Sequence, residues 1–404
     1  MRRTLIISGL GLLAVALFAV GYFFVFQKTD SGAPTAPKDF FSAFFPFGQG
    51  NRTSNNPSNE TGEEVAQKVT ARLRQVSARP ATGAWFTSLP GTTTPLRIRF
   101  MERATGHIFE TFVDSYAEAR ISNTTIPLMQ ELIAINDTNI ILRTLSDTET
   151  VSNAFGVLNA TSSQQSLNTS ALKGFQRVAV AQNGLTMLTV TEIARGSQIE
   201  LMQPDGTKSR TLVLSPIRSW VPLAGDSRFF IQSAPSSGAS GFLYEIKSNG
   251  SLTKILSDIP GLLSVPSPGG RYILYSGSTG VKIFLGMLDT KTGQNYTLPL
   301  KTLATKCAWI SEDAPRVFCA ISDPVRAGTA MLPDDWLLGK IAFNDSAWII
   351  RPIENTAHSL GSLQEIAGTP IDVLGVKISF NQQYALFTNK NDLSVWSLDL
   401  NRDQ

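Results

Sequence analysis

The sequence predicts an all-β fold built from repeated sheets, and three observations lead to that prediction. A turn followed by a short apolar strand recurs along the chain, as in "INDTNIILRTL", "AQNGLTMLTV" and "SPGGRYILYS". Apolar and polar residues alternate in these segments, which is typical of strands and not of helices. Charged residues make up only 17% of the chain, below the ~25% that is usual in soluble proteins, and turn-forming Ser, Thr, Asn and Gly replace them.

The spacing of the repeats predicts how many sheets there are. One turn residue from each repeat gives intervals of 46, 46, 43, 43, 44 and 68 residues. A period in the low to mid forties, with several short strands per repeat, is that of a β-propeller blade. The sequence therefore predicts a seven-bladed β-propeller, with six or eight blades as the alternatives. The turn residues are Gly91, Asp137, Asn183, Asp226, Gly269, Asp313 and Asn381.

Turn chemistry within the repeats predicts four antiparallel strands in each blade. The pairs Asp205-Gly206 and Asn249-Gly250 separate a third strand from a fourth, and such dipeptides favour tight hairpins because they tolerate positive φ angles. The last repeat stops after its third strand. Residues 73–77, near the start of the predicted propeller, have the pattern of a fourth strand. They are predicted to complete blade seven, so that the ring has no open edge.

The N-terminal residues predict a membrane anchor. Residues 4–26 are 23 uncharged positions, which is enough to cross the ~30 Å hydrocarbon layer of a bilayer as a helix. Arg2 and Arg3 precede them, which favours a cytoplasmic N-terminus and an extracytoplasmic remainder. A cleaved signal peptide is the alternative, but the apolar run is long for one and ends in "YFFVF".

The chain is predicted to have three parts: an anchor at 1–27, a flexible tether at 28–63 and a propeller at 64–404. The tether is rich in Ser, Asn, Pro and Gly, a composition typical of flexible linkers. It contains the Phe-rich run "DFFSAFFPFG". This run is interpreted either as an interfacial segment lying against lipid or as a docking motif.

The only two cysteines, Cys307 and Cys319, lie in a predicted hairpin of the sixth repeat. If Ile310 faces Arg316 across this hairpin, Cys307 lies directly opposite Cys319. Facing residues are close enough for a cross-strand disulfide, and such bonds persist in an oxidising, extracytoplasmic compartment. The alternative is two buried free thiols.

The long last interval identifies a candidate binding loop. Nearly all of the excess falls between Ser322 and Asn344, in the link between the second and third strands of blade six. Long loops on a rigid scaffold commonly carry function. The carboxylates are predicted to bind a cation, to act as acid and base, or to cap a helical turn while the Trp packs onto the blade below. The candidate residues of this loop are Arg326, Asp334, Asp335 and Trp336.

The sequence lacks the motifs of several enzyme classes. GxxxxGK[ST], GxSxG, HExxH and CxxC are all absent, and the two histidines, His107 and His358, are too few for a His-rich metal site. No cofactor, metal or catalytic residue is predicted. The net charge is only +3 and no basic block occurs, which argues against nucleic acid as a partner.

One repeat resembles a known family. Residues 267–293, "SPGGRYILYSGSTGVKIFLGMLDTKTG", resemble the WD40-like repeat of TolB-type bacterial propellers, with Gly269 where that repeat has Asp. The ending "SVWSLDL" is similar to the Trp-Asp ending of WD repeats. The chain also resembles uncharacterised membrane-anchored propeller proteins of the bacterial envelope. This resemblance implies a protein-binding role at the envelope and supplies no catalytic residue.

Two functional hypotheses follow. The first is a propeller tethered to the lipid bilayer through residues 4–26, serving as a protein- or glycan-binding platform in the cell envelope. The second is an extracytoplasmic hydrolase or lyase that uses Asp334 and Asp335, with His107 as an additional candidate. An apolar and aromatic face would favour the platform, and a polar cluster at one end of the central channel would favour the enzyme.

Overall fold

The computed structural model describes residues 71–87, 96–145, 150–161, 164–279, 282–322 and 330–401. These residues form seven antiparallel sheets of four strands each. The strands of blades one to four are β2 (Ala81–Thr87), β3 (Arg97–Glu102), β4 (Ile108–Phe112), β5 (Glu118–Arg120); β6 (Met129–Ala134), β7 (Asn139–Leu145), β8 (Val151–Thr161), β9 (Gln164–Ala171); β10 (Arg177–Val180), β11 (Met187–Ile193), β12 (Gly196–Met202), β13 (Arg210–Ser215); β14 (Trp220–Ala224), β15 (Phe229–Ser233), β16 (Ser240–Ile246) and β17 (Leu252–Pro260).

The remaining three blades include the strand that comes first in the chain. Their strands are β18 (Leu263–Pro266), β19 (Tyr272–Thr279), β20 (Lys282–Asp289), β21 (Asn295–Thr297); β22 (Cys307–Ser311), β23 (Arg316–Ser322), β24 (Asp345–Arg351), β25 (Thr356–Ser362); and β26 (Val373–Ile378), β27 (Tyr384–Asn389), β28 (Val395–Asp399) with β1 (Leu73–Ser77). Two short helices, α1 (Asp334–Leu337) and α2 (Leu363–Ala367), and a 3-10 turn at Ala304–Lys306 lie in the links. The prediction of seven blades is confirmed, and six or eight are excluded.

The order of the strands defines two faces of the ring. First strands of neighbouring blades contact one another, as do β2 with β6, β10 with β14, β14 with β18 and β22 with β26, and the first strands surround the central channel of the propeller. Because successive strands are antiparallel, the connections between second and third strands lie on the same side as the links between blades. We call this side the link face, and the opposite side, which carries the two hairpin turns of each blade, the turn face.

The ring is closed by its first strand. β1 pairs with β28, with Leu73 facing Leu398 and Arg74 facing Ser397. Blade seven therefore has the order β1-β28-β27-β26. This confirms the prediction that residues 73–77 complete the last blade, and the pairing removes a free edge that would otherwise be open to aggregation.

Apolar packing joins each blade to the next. Among the described residues, the buried apolar side chains form seven clusters, and each cluster spans one of the seven boundaries between neighbouring blades. In the boundary between blades six and seven, for example, Phe318 packs with Phe387 and Trp396. The hydrophobic core is thus distributed around the ring.

The predicted turn chemistry is present. Gly206 and Gly250 both have φ of 84°, which an L side chain rarely adopts. Six of the seven turn residues identified from the sequence lie between the first and second strands of their blades. The seventh, Gly91, lies outside the described residues.

The hairpin of blade six differs in register from the prediction. Cys307 faces Cys319, and the two form a disulfide with a Cα–Cα distance of 4.1 Å. Ile310, however, does not face Arg316. A bulge at Ile310 pairs Ser311 with Arg316 instead, and the extra residue allows the Ile310 side chain to join the core between blades six and seven.

The predicted anchor at 1–27 and tether at 28–63 lie outside the described residues and stay predictions. Within the described residues, no helix has the length and apolar character needed to cross a bilayer.

Candidate functional site on the link face

The blade-six loop connects β23 to β24 on the link face, and its described part, residues 330–344, contains α1. Arg326, one of the predicted binding residues, lies outside the described residues. Asp334, Asp335 and Trp336 all lie in α1. The structure therefore places three of the four predicted residues on a single helical turn.

Asp334 ties this loop to blade four. Its carboxylate accepts a 2.8 Å hydrogen bond from the backbone N–H of Ser237, in the link between β15 and β16. Burial favours the neutral acid, but the hydrogen bonds from Ser237 and Ser236 outweigh it, so the pKa of Asp334 lies below its ordinary value. Asp334 is therefore ionised at neutral pH and holds the loop in place.

Asp335 is engaged within the loop itself. Its carboxylate accepts a 2.7 Å hydrogen bond from the backbone N–H of Met331 and a 3.0 Å hydrogen bond from Lys340 Nζ. The Met331 hydrogen bond, with support from the Lys340 ion pair, lowers the pKa of Asp335. Both carboxylate oxygens of Asp335 are thus used within the loop, and the N-cap residue of α1 is Pro333, with no side-chain cap hydrogen bond.

Trp336 fills the space beneath the loop. Its side chain is buried, its ring stacks on that of Phe343 with 6.3 Å between centroids, and its Nε1–H donates to Asp372 Oδ2 at 2.9 Å. Asp372 directly precedes β26, the first strand of blade seven. The loop is thus anchored to the neighbouring blade as well as to its own.

A buried cluster of charged residues lies beneath the blade-six loop. Lys306, which is 0% exposed, donates from Nζ to Asp345 at 2.7 Å and to Asp372 at 2.5 Å. The ammonium also lies 5.1 Å from the Trp336 ring and 5.0 Å from the Phe343 ring. Burial raises the pKa of Asp345, and the attraction to Lys306 opposes that rise. One cation and two carboxylates thereby join the blade-six loop to blades six and seven.

Sequence reasoning identified Trp336 but missed Lys306, Asp345 and Asp372. Asp345 and Asp372 lie 39 and 66 positions from Lys306 in the sequence, and the three residues come from two links and the start of β24, so no local spacing relates them. In addition, Lys and Asp beside short strands normally indicate exposed surface. Only the closed ring brings them together.

In the described part of the blade-six loop, three large apolar side chains are exposed, close in sequence to the exposed Lys340. Met331, Leu337 and Leu338 are 45%, 47% and 69% exposed, while both aromatic rings of the described loop, Trp336 and Phe343, are buried. The blade-six loop, held in place by these contacts, therefore presents aliphatic side chains to solvent on the link face.

Inside the ring, a cavity of about 590 Å³ is lined by β2, β6 and β26 and opens toward the link face. Lys377 of β26 lines it and donates from Nζ to the Ala84 carbonyl at 2.9 Å. Burial lowers the pKa of Lys377 to about 8, and the negative charge of Glu131 opposes the shift. Lys377 also lines a second cavity of about 380 Å³ beside Cys307 and Trp309 of β22.

His107 does not join the predicted acidic pair. It lies on the link between β3 and β4 of blade one, with its ring nitrogen 3.2 Å from Thr125 Oγ1. Blade seven separates it from the blade-six loop. Within the described part of the chain, no group of three or more His, Cys, Asp or Glu side chains is placed to hold a metal ion.

Comparison with protein-family models and with curated proteins finds no match. Among solved structures, the chain is similar to an oligogalacturonate lyase from Vibrio parahaemolyticus (10% identity, 83% of this chain and 95% of that chain, TM-score 0.54). It is also similar to the tricorn protease (9% identity, 85% of this chain, TM-score 0.50) and spans about a third, 34%, of the length of that protein. TolB from Acinetobacter baumannii matches at 14% identity over 69% of this chain and 63% of that chain, with a TM-score of 0.43.

At these identities the similarity is one of fold. The resemblance to TolB-type, WD40-like propellers that the sequence indicates is confirmed at that level, on the basis of the seven four-stranded blades themselves. The lyase, the protease and TolB have different names and share an architecture with this chain, and an architecture does not fix a function.

Proposed function

We propose that the chain is a membrane-tethered, extracytoplasmic β-propeller that binds a protein partner in the cell envelope through the blade-six loop. The observation that carries this proposal is the exposure of Met331, Leu337 and Leu338 on a loop whose described part is held in place by hydrogen bonds of its α1 residues. A preordered apolar surface loses little conformational entropy on binding. The membrane location rests on the composition of residues 4–26.

A protein partner fits this surface better than a glycan does. Sugars are commonly held by stacking on aromatic rings and by several polar side chains. Here the Trp336 and Phe343 rings are buried, and the Asp334 and Asp335 carboxylates are already hydrogen-bonded. Aliphatic side chains such as Leu337 and Leu338 complement the apolar core of a protein interface.

The test compares two leucines of nearly equal exposure on opposite faces of the ring. Leu338 is 69% exposed on the link face, and Leu185 is 67% exposed on the turn face, between β10 and β11. Full-length wild type, Leu338→Asp and Leu185→Asp are used to capture proteins from envelope extract after cross-linking. We expect wild type and Leu185→Asp to capture at least one protein partner in similar amounts. The amount captured by Leu338→Asp should be lower by at least about tenfold.

Thermal unfolding of all three proteins checks that neither substitution disturbs the fold. Equal capture by all three, or capture that is lost only with Leu185→Asp, contradicts the assignment of the partner to the blade-six loop. A captured glycan with no protein would contradict the class of partner.

The hydrolase or lyase hypothesis has weaker support. A general acid at neutral pH needs a raised pKa, whereas the pKa values of Asp334 and Asp335 are both lowered. If an activity on glycans or peptides is found, its survival in an Asp334→Asn, Asp335→Asn double variant would remove these residues from the mechanism.

A further inference from the structure

The further inference concerns Lys377 in the central channel. A bulge in β26 places this residue, because Leu374 faces Thr388 while Lys377 faces Leu386, which leaves one extra residue on β26. Gly375 within the bulge has φ of 65°, a conformation suited to glycine. The register of β26 therefore changes just before Lys377, which lines both channel cavities.

The ammonium of Lys377 lacks a paired anion. A Lys side chain has three donors, and among the described residues Lys377 makes one hydrogen bond, to the neutral Ala84 carbonyl. None of their carboxylates lies within salt-bridge distance of its Nζ. A buried charge normally has an opposite charge beside it, as Lys306 has in Asp345 and Asp372. Lys377 is thus an uncompensated cation inside a cavity.

Of the other charged groups of the cavity, Glu131 is ion-paired, whereas Arg103 is hydrogen-bonded to a neutral amide. Glu131 of β6 forms a 2.6 Å ion pair with Arg143 of β7. Arg103, on the link between β3 and β4, donates to Gln130 at 2.9 Å. These two groups and Lys377 are the charged residues lining the larger cavity. The Lys377 ammonium is therefore available to an anionic ligand. Glu131 attracts it electrostatically without forming an ion pair with it.

The remaining walls are mostly apolar. Aliphatic side chains from four strands and the β27–β28 link surround the approach to Lys377. They are Ala84, Leu132, Ile133, Leu374, Leu386 and Leu393. The cavity volume of about 590 Å³ lies within the range of small-ligand sites. A ligand with an apolar body and one anionic end would fill this space and neutralise the cation.

We propose that the central channel binds a monocarboxylate with an apolar body, whose carboxylate forms an ion pair with Lys377. The C-terminus of a peptide ending in an aliphatic residue and a medium-chain fatty acid share this chemistry. The proposal concerns a site separate from the blade-six loop and does not depend on the function proposed for that loop.

The first test uses matched acids and amides on the full-length wild-type protein, with binding measured by calorimetry at pH 7. The probes are acetyl-Ala-Ala-Leu and its C-terminal amide, and octanoate and octanamide. We expect at least one acid to bind about tenfold or more tightly than its amide, a difference of about 1.4 kcal/mol. The pair that shows the difference identifies peptide or fatty acid as the source of the carboxylate.

The pH dependence gives a second signature. Binding of the acid requires the protonated ammonium, and the pKa of Lys377 is about 8. Affinity is therefore expected to be constant between pH 6 and about pH 7.5 and then to fall by up to about tenfold per pH unit above the pKa of Lys377. Binding of the amide has no such dependence.

The third test identifies the residue. Lys377→Met should abolish the preference for acid over amide, and Lys377→Arg should preserve most of it. The control is Lys282→Met, which removes an exposed lysine at the start of β20 and should leave the preference unchanged. Three outcomes would overturn the proposal. They are equal affinity of acid and amide in wild type, no binding of any probe at millimolar concentration, and an unchanged preference for the acid in Lys377→Met. The wild-type comparison and pH profile stand even if Lys377→Met does not fold.

Discussion

Two lysines, Lys306 buried and Lys377 partly buried, differ in how their charges are compensated. Lys306 is fully enclosed and compensated by two carboxylates and two aromatic rings. Lys377 is enclosed without a carboxylate partner, and the pKa of its side chain is lowered. The first arrangement joins the blade-six loop to blades six and seven. In the second arrangement the pKa of Lys377 is perturbed, and residues with perturbed pKa values in a cleft often belong to a binding site.

The Lys306 cluster gives a stability prediction at the scale of single residues. Lys306→Met leaves Asp345 and Asp372 buried next to each other without a cation, and we expect the free energy of unfolding to fall by about 3–5 kcal/mol. Lys340→Met removes an ion pair whose lysine is 64% exposed and should cost less than about 1 kcal/mol. Urea unfolding of both variants provides the measurement. Equal, small losses would show that the cluster does not stabilise the fold.

At the scale of strands and turns, much of the fold could be predicted. Turn residues such as Gly206 and Gly250 predict hairpins because few residue types adopt positive φ. The absence of a fourth strand from the last repeat predicted that β1 completes blade seven. The bulge at Ile310 could not be predicted, since it depends on packing against blade seven. The same is true of the charge cluster, because its members meet only across blades.

β1 allows a prediction within one strand. Val76 is buried between blades seven and one, whereas the adjacent Gln75 is exposed. Val76→Asp buries an unpaired charge and is expected to lower the free energy of unfolding by about 2–4 kcal/mol. Gln75→Asp should change it by less than about 0.5 kcal/mol. Chemical denaturation followed by tryptophan fluorescence would measure both, and similar effects of the two changes would argue against β1 as a packed closing strand.

At the scale of the whole molecule, the blades form a continuous ring in which each boundary has its own apolar cluster. The ring supplies the two surfaces of interest, the blade-six loop and the channel around Lys377. The sequence located the loop through one long interval. It gave no sign of the channel site, because a single lysine becomes notable only when its surroundings are known.

The predicted anchor is tested on the full chain. Deletion of residues 4–26 removes the only apolar run in the sequence long enough to cross a bilayer, so the protein is expected to move from the carbonate-resistant membrane fraction to the soluble fraction. Replacement of the same residues by a run of leucines of equal length should retain it in the membrane. A wild-type chain that carbonate releases from membranes would contradict a retained anchor.

The pairing of β1 with β28 also has a consequence for the order of events during biosynthesis. Arg72 contacts Asp399 across 327 positions of sequence, so the earliest strand of the propeller must wait for the last one to be made. Until the ribosome has delivered β28, Leu73–Ser77 has no strand to pair with, and the blades made before it form an open arc. Closure of the ring is therefore the last step in the assembly of the propeller, and the unpaired edges stay open to aggregation until then.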